Sequence, residues 1–61
     1  MEETDMQYVL YRDNAGYWRW RLLANNHRTI ADSGEGYVNR ADAINGIDLV
    51  KSSAAAPVVE R

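Results

Sequence analysis

The chain predicts an α+β domain in the order β-β-β-α-β, with a three-stranded antiparallel β-meander followed by one α-helix and a short C-terminal strand. Three observations carry that expectation. Residues 6–12 (MQYVLYR) and 17–24 (YWRWRLLA) are rich in aromatic and branched side chains and alternate in polarity, as half-buried strands do. Turn-forming residues separate them. Beyond residue 39 the apolar spacing changes from two to three and four, the spacing of an amphipathic helix.

Asp13-Asn14-Ala15-Gly16 joins the first two strands. Asp and Asn suit the early turn positions, and Gly16 can adopt the left-handed conformation that closes a type I turn with a bulge. That bulge sets Arg12 opposite Trp18, Leu10 opposite Trp20 and Tyr8 opposite Leu22, because side chains alternate with period two. One face then holds Tyr8, Leu10, Trp18, Trp20, Leu22 and Ala24. The reverse face holds Val9, Tyr11, Tyr17, Arg19, Arg21 and Leu23.

A second turn is expected at Asn25-Asn26-His27-Arg28, with the third strand over 28–33 (RTIADS). One extra turn residue would swap Ile30 and Ala31 between faces, so the register of this strand stays open. Residues 33–37 (SGEGY) break the strand, and Asn39 followed by Asp42 reads as a helix cap with an acid in the first turn. The helix is expected to begin near Arg40 and to lay Ala43, Ile44, Ile47, Val50 and Ala54 over the tryptophan-rich face. Gly46 inside it costs roughly 1 kcal/mol relative to alanine, which points to close contact with the sheet. Tyr37 is placed at the end of the core. The domain is expected over residues 6–56, with an acidic tip over 1–5 and a short C-terminal strand or tail over 57–61.

Composition narrows the function classes. The hydrophobic share of 46% against 26% charged is that of a folding chain, not of a disordered polar one. At 61 residues the chain buries only about 60% of its unfolded surface, and the absence of cysteine removes disulfides and thiolate metal sites as a remedy. A partner subunit is the remaining way to gain burial. The formal charge of −2 gives no global field for polyanions, yet residues 6–40 hold five arginines against Asp13, Asp32 and Glu35. With no apolar run of spanning length and an acidic MEETD start, a cytoplasmic protein is expected, with no membrane contact.

The first strand ending YRD, the run Gly16-Tyr17-Trp18-Arg19-Trp20-Arg21-Leu22, the loop Ser33-Gly34-Glu35-Gly36-Tyr37, and Gly46-Ile47 with Val50-Lys51 together resemble the YegP-like domains of unknown function of bacteria and archaea. The resemblance runs from Tyr8 to about Ala54. It implies a β-β-β-α unit with a short C-terminal strand, found as tandem repeats or as a single copy, and for a single copy a homodimer that reproduces the tandem arrangement. His27 departs from the family by standing where glycine usually follows Asn26. No activity is established for the family, so the resemblance implies fold and assembly.

Catalytic chemistry finds little to work with. His27 is the one histidine, and a zinc site needs three or four donors. Asp32 and Glu35 flank a glycine turn as paired carboxylates do in hydrolases, but nothing nearby forms a pocket. Ser33-Gly34-Glu35-Gly36 precedes a helix yet lacks the lysine and spacing of a P-loop, and Glu35 would repel phosphate. No enzyme activity, cofactor or metal is expected. The leading expectation is a homodimeric interaction module with Tyr11, Tyr17, Arg19 and Arg21 on its interface and Pro57, Val58 and Val59 as an exchanged strand. The alternative is a weak single-stranded nucleic-acid binder that uses the same arginine-aromatic face. A small-molecule site between subunits near Glu35, Tyr37 and Asn39 is the third possibility.

Overall fold

The computed structural model describes residues 6–61; the acidic tip expected over 1–5 lies outside the described residues. Strands β1 (Gln7–Arg12), β2 (Trp18–Leu23) and β3 (Thr29–Asp32) form one antiparallel sheet in the order β1-β2-β3, and helix α1 (Arg40–Lys51) covers one face. The α+β meander and its helix are therefore as the sequence predicts. Among the described residues no helix is long and apolar enough to cross a membrane.

Both hairpin turns share one hydrogen-bond pattern. In the first, the Asp13 amide donates to the Tyr17 carbonyl and the Gly16 amide to the Asp13 carbonyl; in the second, Ala24 donates to Arg28 and His27 to Ala24. The third position of each needs a positive φ, 90° at Gly16 and 69° at His27. Gly16 sets the expected β1–β2 register, with Arg12, Leu10 and Tyr8 opposite Trp18, Trp20 and Leu22.

The register left open in the sequence resolves through a bulge. Leu22 pairs with Ala31 and Leu23 with Thr29, so β3 spends one extra residue between Leu22 and Leu23. Ala31 shares the helix side with Leu22, while Ile30, the extra residue at the bulge, is 53% exposed. β3 is too short to accompany the whole of β2. Ser33 and Tyr37 complete that edge instead: the Ser33 amide donates to the Trp20 carbonyl, and Trp18 and Tyr37 exchange amide-to-carbonyl bonds of 2.8 and 2.9 Å.

The core sits between sheet and helix. Trp20, Ala43 and Ile47 are buried, with Tyr8, Leu10, Trp18, Tyr37 and Val50 packed around them. Tyr8 meets Trp20 edge to face at 5.7 Å between ring centroids, an arrangement that aligns ring edge with ring face. Gly46 is buried against the sheet as its cost implied, because a β-carbon there would come within 3.3 Å of Trp20 Nε1.

Three details differ from expectation. Asn39 occupies the N-cap position with extended backbone, but its side chain makes no cap hydrogen bond and instead donates to Asp42 at 3.4 Å. The Asn39 carbonyl accepts from the Asp42 and Ala43 amides, so one of the amides a cap side chain could reach, that of Asp42, is already engaged. Ala54 lies beyond the end of α1 and is exposed, so the apolar stripe stops at Val50. Residues 57–61 form no strand in the single chain, where Val58 is 98% and Val59 65% exposed, since no neighbouring edge pairs with them.

Candidate interaction face

The sheet face opposite α1 carries most of the candidate residues. Alternation along β1 and β2 brings Val9, Tyr11, Arg19, Arg21 and Leu23 to that side, and the exposed Ile30 sits at the bulge of β3. Val9, Tyr11, Arg19 and Leu23 are half-buried, whereas Arg21, Tyr17 and Ile30 are exposed. Among the described residues no element packs over this face.

Two interactions organise its charge. The Arg21 guanidinium lies over the Tyr11 ring at 4.7 Å from its centroid, a cation–π pair that also covers the ring with the arginine stem. Arg19 Nε donates to Asp13 Oδ2 at 2.5 Å across the mouth of the first hairpin. Asp13 is a hub: its Oδ1 also accepts from the Ala15 amide at 3.0 Å and the Tyr17 amide at 2.9 Å. The Arg19 hydrogen bond, seconded by the Tyr17 amide, holds the Asp13 carboxyl below its ordinary range, and Asp13 in turn raises Arg19. Sequence reading assigned Asp13 only to the turn. The signal that could have found the pair is its placement before a strand whose arginines alternate with tryptophans.

Tyr17 stands at the start of this face, and the chain passes close beneath it. A β-carbon on Gly36 would fall 2.6 Å from Tyr17 Cβ, so the 33–37 loop reaches its place only with glycine there. Ser33 Oγ donates to the Glu35 carbonyl, tying that loop to the sheet.

The loop candidates Glu35, Tyr37 and Asn39 do not converge. Glu35 is exposed, the Tyr37 hydroxyl turns inward beside Gly46, and the Asn39 amide pairs with Asp42. Asp32 Oδ1 accepts from the Gly34 amide at 3.0 Å, which engages the carboxylate in its own turn. No pocket and no cluster of metal-binding side chains occurs among the described residues. His27 is exposed in its turn. On the helix side, the Arg12 and Arg40 guanidinium groups both approach the Trp18 ring, at 5.5 and 6.0 Å from its centroid. That cluster was missed in the sequence because Arg40 comes from a distant segment.

Comparison with known proteins places this geometry in a group. The chain is 44% identical over 55 residues to a UPF0339 protein of Neisseria meningitidis serogroup B, covering 90% of this chain and 96% of that one. It is 43% identical over 47 residues to a UPF0339 protein of Stutzerimonas stutzeri, but those residues are 77% of this chain and only 41% of the relative. The solution structure of a protein from Haloferax volcanii superimposes with a TM-score of 0.83 at 38% identity, covering 92% of this chain and 93% of that one. Residues 13–60 match the family model described as a domain of unknown function, DUF1508. The resemblance read from the strand and loop motifs is borne out, and the chain belongs to the DUF1508 family of uncharacterised domains.

Proposed function

We propose that this domain is a non-enzymatic interaction module of the cytoplasm that works as a homodimer, with Tyr11, Arg19 and Arg21 in the dimer surface. The observation that carries this reading is the uncovered sheet face. Its aromatic and aliphatic side chains are half-buried at best, and among the described residues only Trp20, Ala43 and Ile47 are buried hydrophobic residues. A second copy laid on this face would supply the burial a chain of this size lacks. The charges there suit an interface, because Arg19 already has Asp13 and Arg21 already has the Tyr11 ring, which lowers the penalty for removing them from water. More than half of the Stutzerimonas relative lies outside the matched segment, room enough for a tandem copy that would meet the same need.

Light scattering across a dilution series tests the reading, on the full chain and on a chain ending at Ala56. Twice the 6.9 kDa chain mass is expected for the full chain. A monomer up to millimolar concentration would overturn it.

Single-stranded nucleic acid is the second reading, favoured by the Arg21–Tyr11 stack, which presents a cation beside an aromatic ring. It predicts binding that weakens with salt and falls on Arg21→Ala. Binding indifferent to salt would count against it.

A further inference from the structure

We infer that Arg12, Trp18 and Arg40 form a binding site for a phosphomonoester, on the helix side of the sheet at its hairpin end. The site is separate from the uncovered sheet face and does not depend on the homodimer reading. Three elements meet there: Arg12 ends β1, Trp18 begins β2 and Arg40 begins α1. The two guanidinium carbons stand 5.5 and 6.0 Å from the centroid of the same indole ring.

Both arginines are exposed, yet both are held in place. Arg12 Nη2 donates to the Gly16 carbonyl at 3.2 Å while the guanidinium lies over the ring, which ties the fork to the turn. Arg40 is fixed at its root by the first turn of α1 and at its tip by the ring. Trp18 is itself anchored, because its backbone exchanges two hydrogen bonds with Tyr37. An arginine loses rotamer freedom when it grips a ligand, and here part of that loss is already taken in folding.

Among the described residues neither guanidinium lies within ion-pair distance of a carboxylate, whereas Arg19 has Asp13. The acids nearest to them along the chain are engaged elsewhere. Asp13 binds Arg19 and the Ala15 and Tyr17 amides, and Asp42 accepts from the Asn39 side-chain amide.

Charge and shape together select the ligand. Guanidinium forks match the oxygens of carboxylates and phosphates. A carboxylate brings one negative charge, whereas a phosphomonoester brings about 1.5 to 2 near neutral pH and three acceptor oxygens, enough for both forks. No pocket lies among the described residues, so the site grips the phosphate group and leaves the body of the ligand outside.

The test is an NMR titration of the full chain at constant ionic strength, with glycerol phosphate, inorganic phosphate and acetate as probes. The Trp18 indole signal and the side-chain Cδ–H signals of Arg12 and Arg40 should shift together and saturate with glycerol phosphate, while those of Arg19 and Arg21 stay still. Arg12→Ala and Arg40→Ala should each weaken the affinity about tenfold. The lysine variants keep the charge but lose the fork, and should recover only part of it. Saturation by inorganic phosphate alone would overturn the ester and assign the free ion. Equal affinity for acetate, or an unsaturated drift shared with Arg19 and Arg21, would overturn the site itself.

Discussion

The indole nitrogen of Trp20 lies against the bare backbone of Gly46: a β-carbon at residue 46 would stand 3.3 Å from Nε1 and 2.9 Å from Tyr37 Oη. That nitrogen is buried and has no hydrogen-bond partner among the described residues, so the helix is seated directly on the ring. Gly46→Ala gains about 1 kcal/mol of helix propensity but must displace two packed side chains, which costs roughly 1 to 3 kcal/mol. A net loss of about 1 kcal/mol is expected from urea denaturation. A more stable variant would show that Tyr37 yields freely.

Trp20→Ala should be far more damaging. Trp20 is one of three buried hydrophobic residues among the described residues and is 5% exposed, and truncating a buried tryptophan costs on the order of 3 to 5 kcal/mol. That is comparable with the whole stability of a domain this small, at roughly 0.05 to 0.15 kcal/mol per residue. Circular dichroism should report an unfolded chain at 25 °C. A folded variant would mean that the core draws on more than the three buried residues.

His27 holds φ at 69°, a left-handed conformation that Gly16 occupies at the matching position of the other turn. A residue with a β-carbon gives up about 1 to 2 kcal/mol there, partly offset because glycine has more chain entropy when unfolded and so loses more on folding. His27→Gly should therefore stabilise the domain by about 1 kcal/mol. The reciprocal change, Gly16→Ala, should destabilise it by a similar amount. Thermal unfolding of the two variants checks both signs.

The Asp13–Arg19 pair makes stability depend on acid. The folded carboxyl titrates below its ordinary value of 3.8, chiefly because Arg19 is hydrogen-bonded to it. Its contribution is complete above the unfolded value and is lost as the pH falls through the depressed folded value. Asp13→Asn keeps the acceptor for the turn amides but removes this charge. The urea midpoints of wild type and variant should differ most above about pH 5 and converge below 3.8. A constant gap across that range would assign the effect to geometry, not charge.

How much of this was legible depends on how far apart the interacting residues lie. Gly16 fixed the β1–β2 register locally, so the pairing of Leu10 with Trp20 could be read directly. The β3 register could not, because its bulge between Leu22 and Leu23 leaves no mark in a run such as RTIADS. Asn39 has the composition of a cap and the position of one, but its own carbonyl receives the first-turn amides while its side chain turns to Asp42. On the candidate face, alternation found Tyr11, Arg19 and Arg21. It did not find Asp13 as the partner of Arg19, since a turn residue sits outside any strand alternation. The bridge between Trp18 and Tyr37 joins segments that no local pattern connects.

The two matching turns also bear on the order in which the domain assembles. Each closes within five residues, so the sheet can zip together from short loops, the fast kind of contact. Placing Gly46 on Trp20 instead requires the ends of a long stretch of chain to meet, and that entropy is lost before any packing rewards it. The two tryptophans lie on the side that α1 covers, so their emission follows the slow event. In a rapid-mixing experiment, backbone absorption should register the hairpins first, and tryptophan fluorescence should register the docking of the helix.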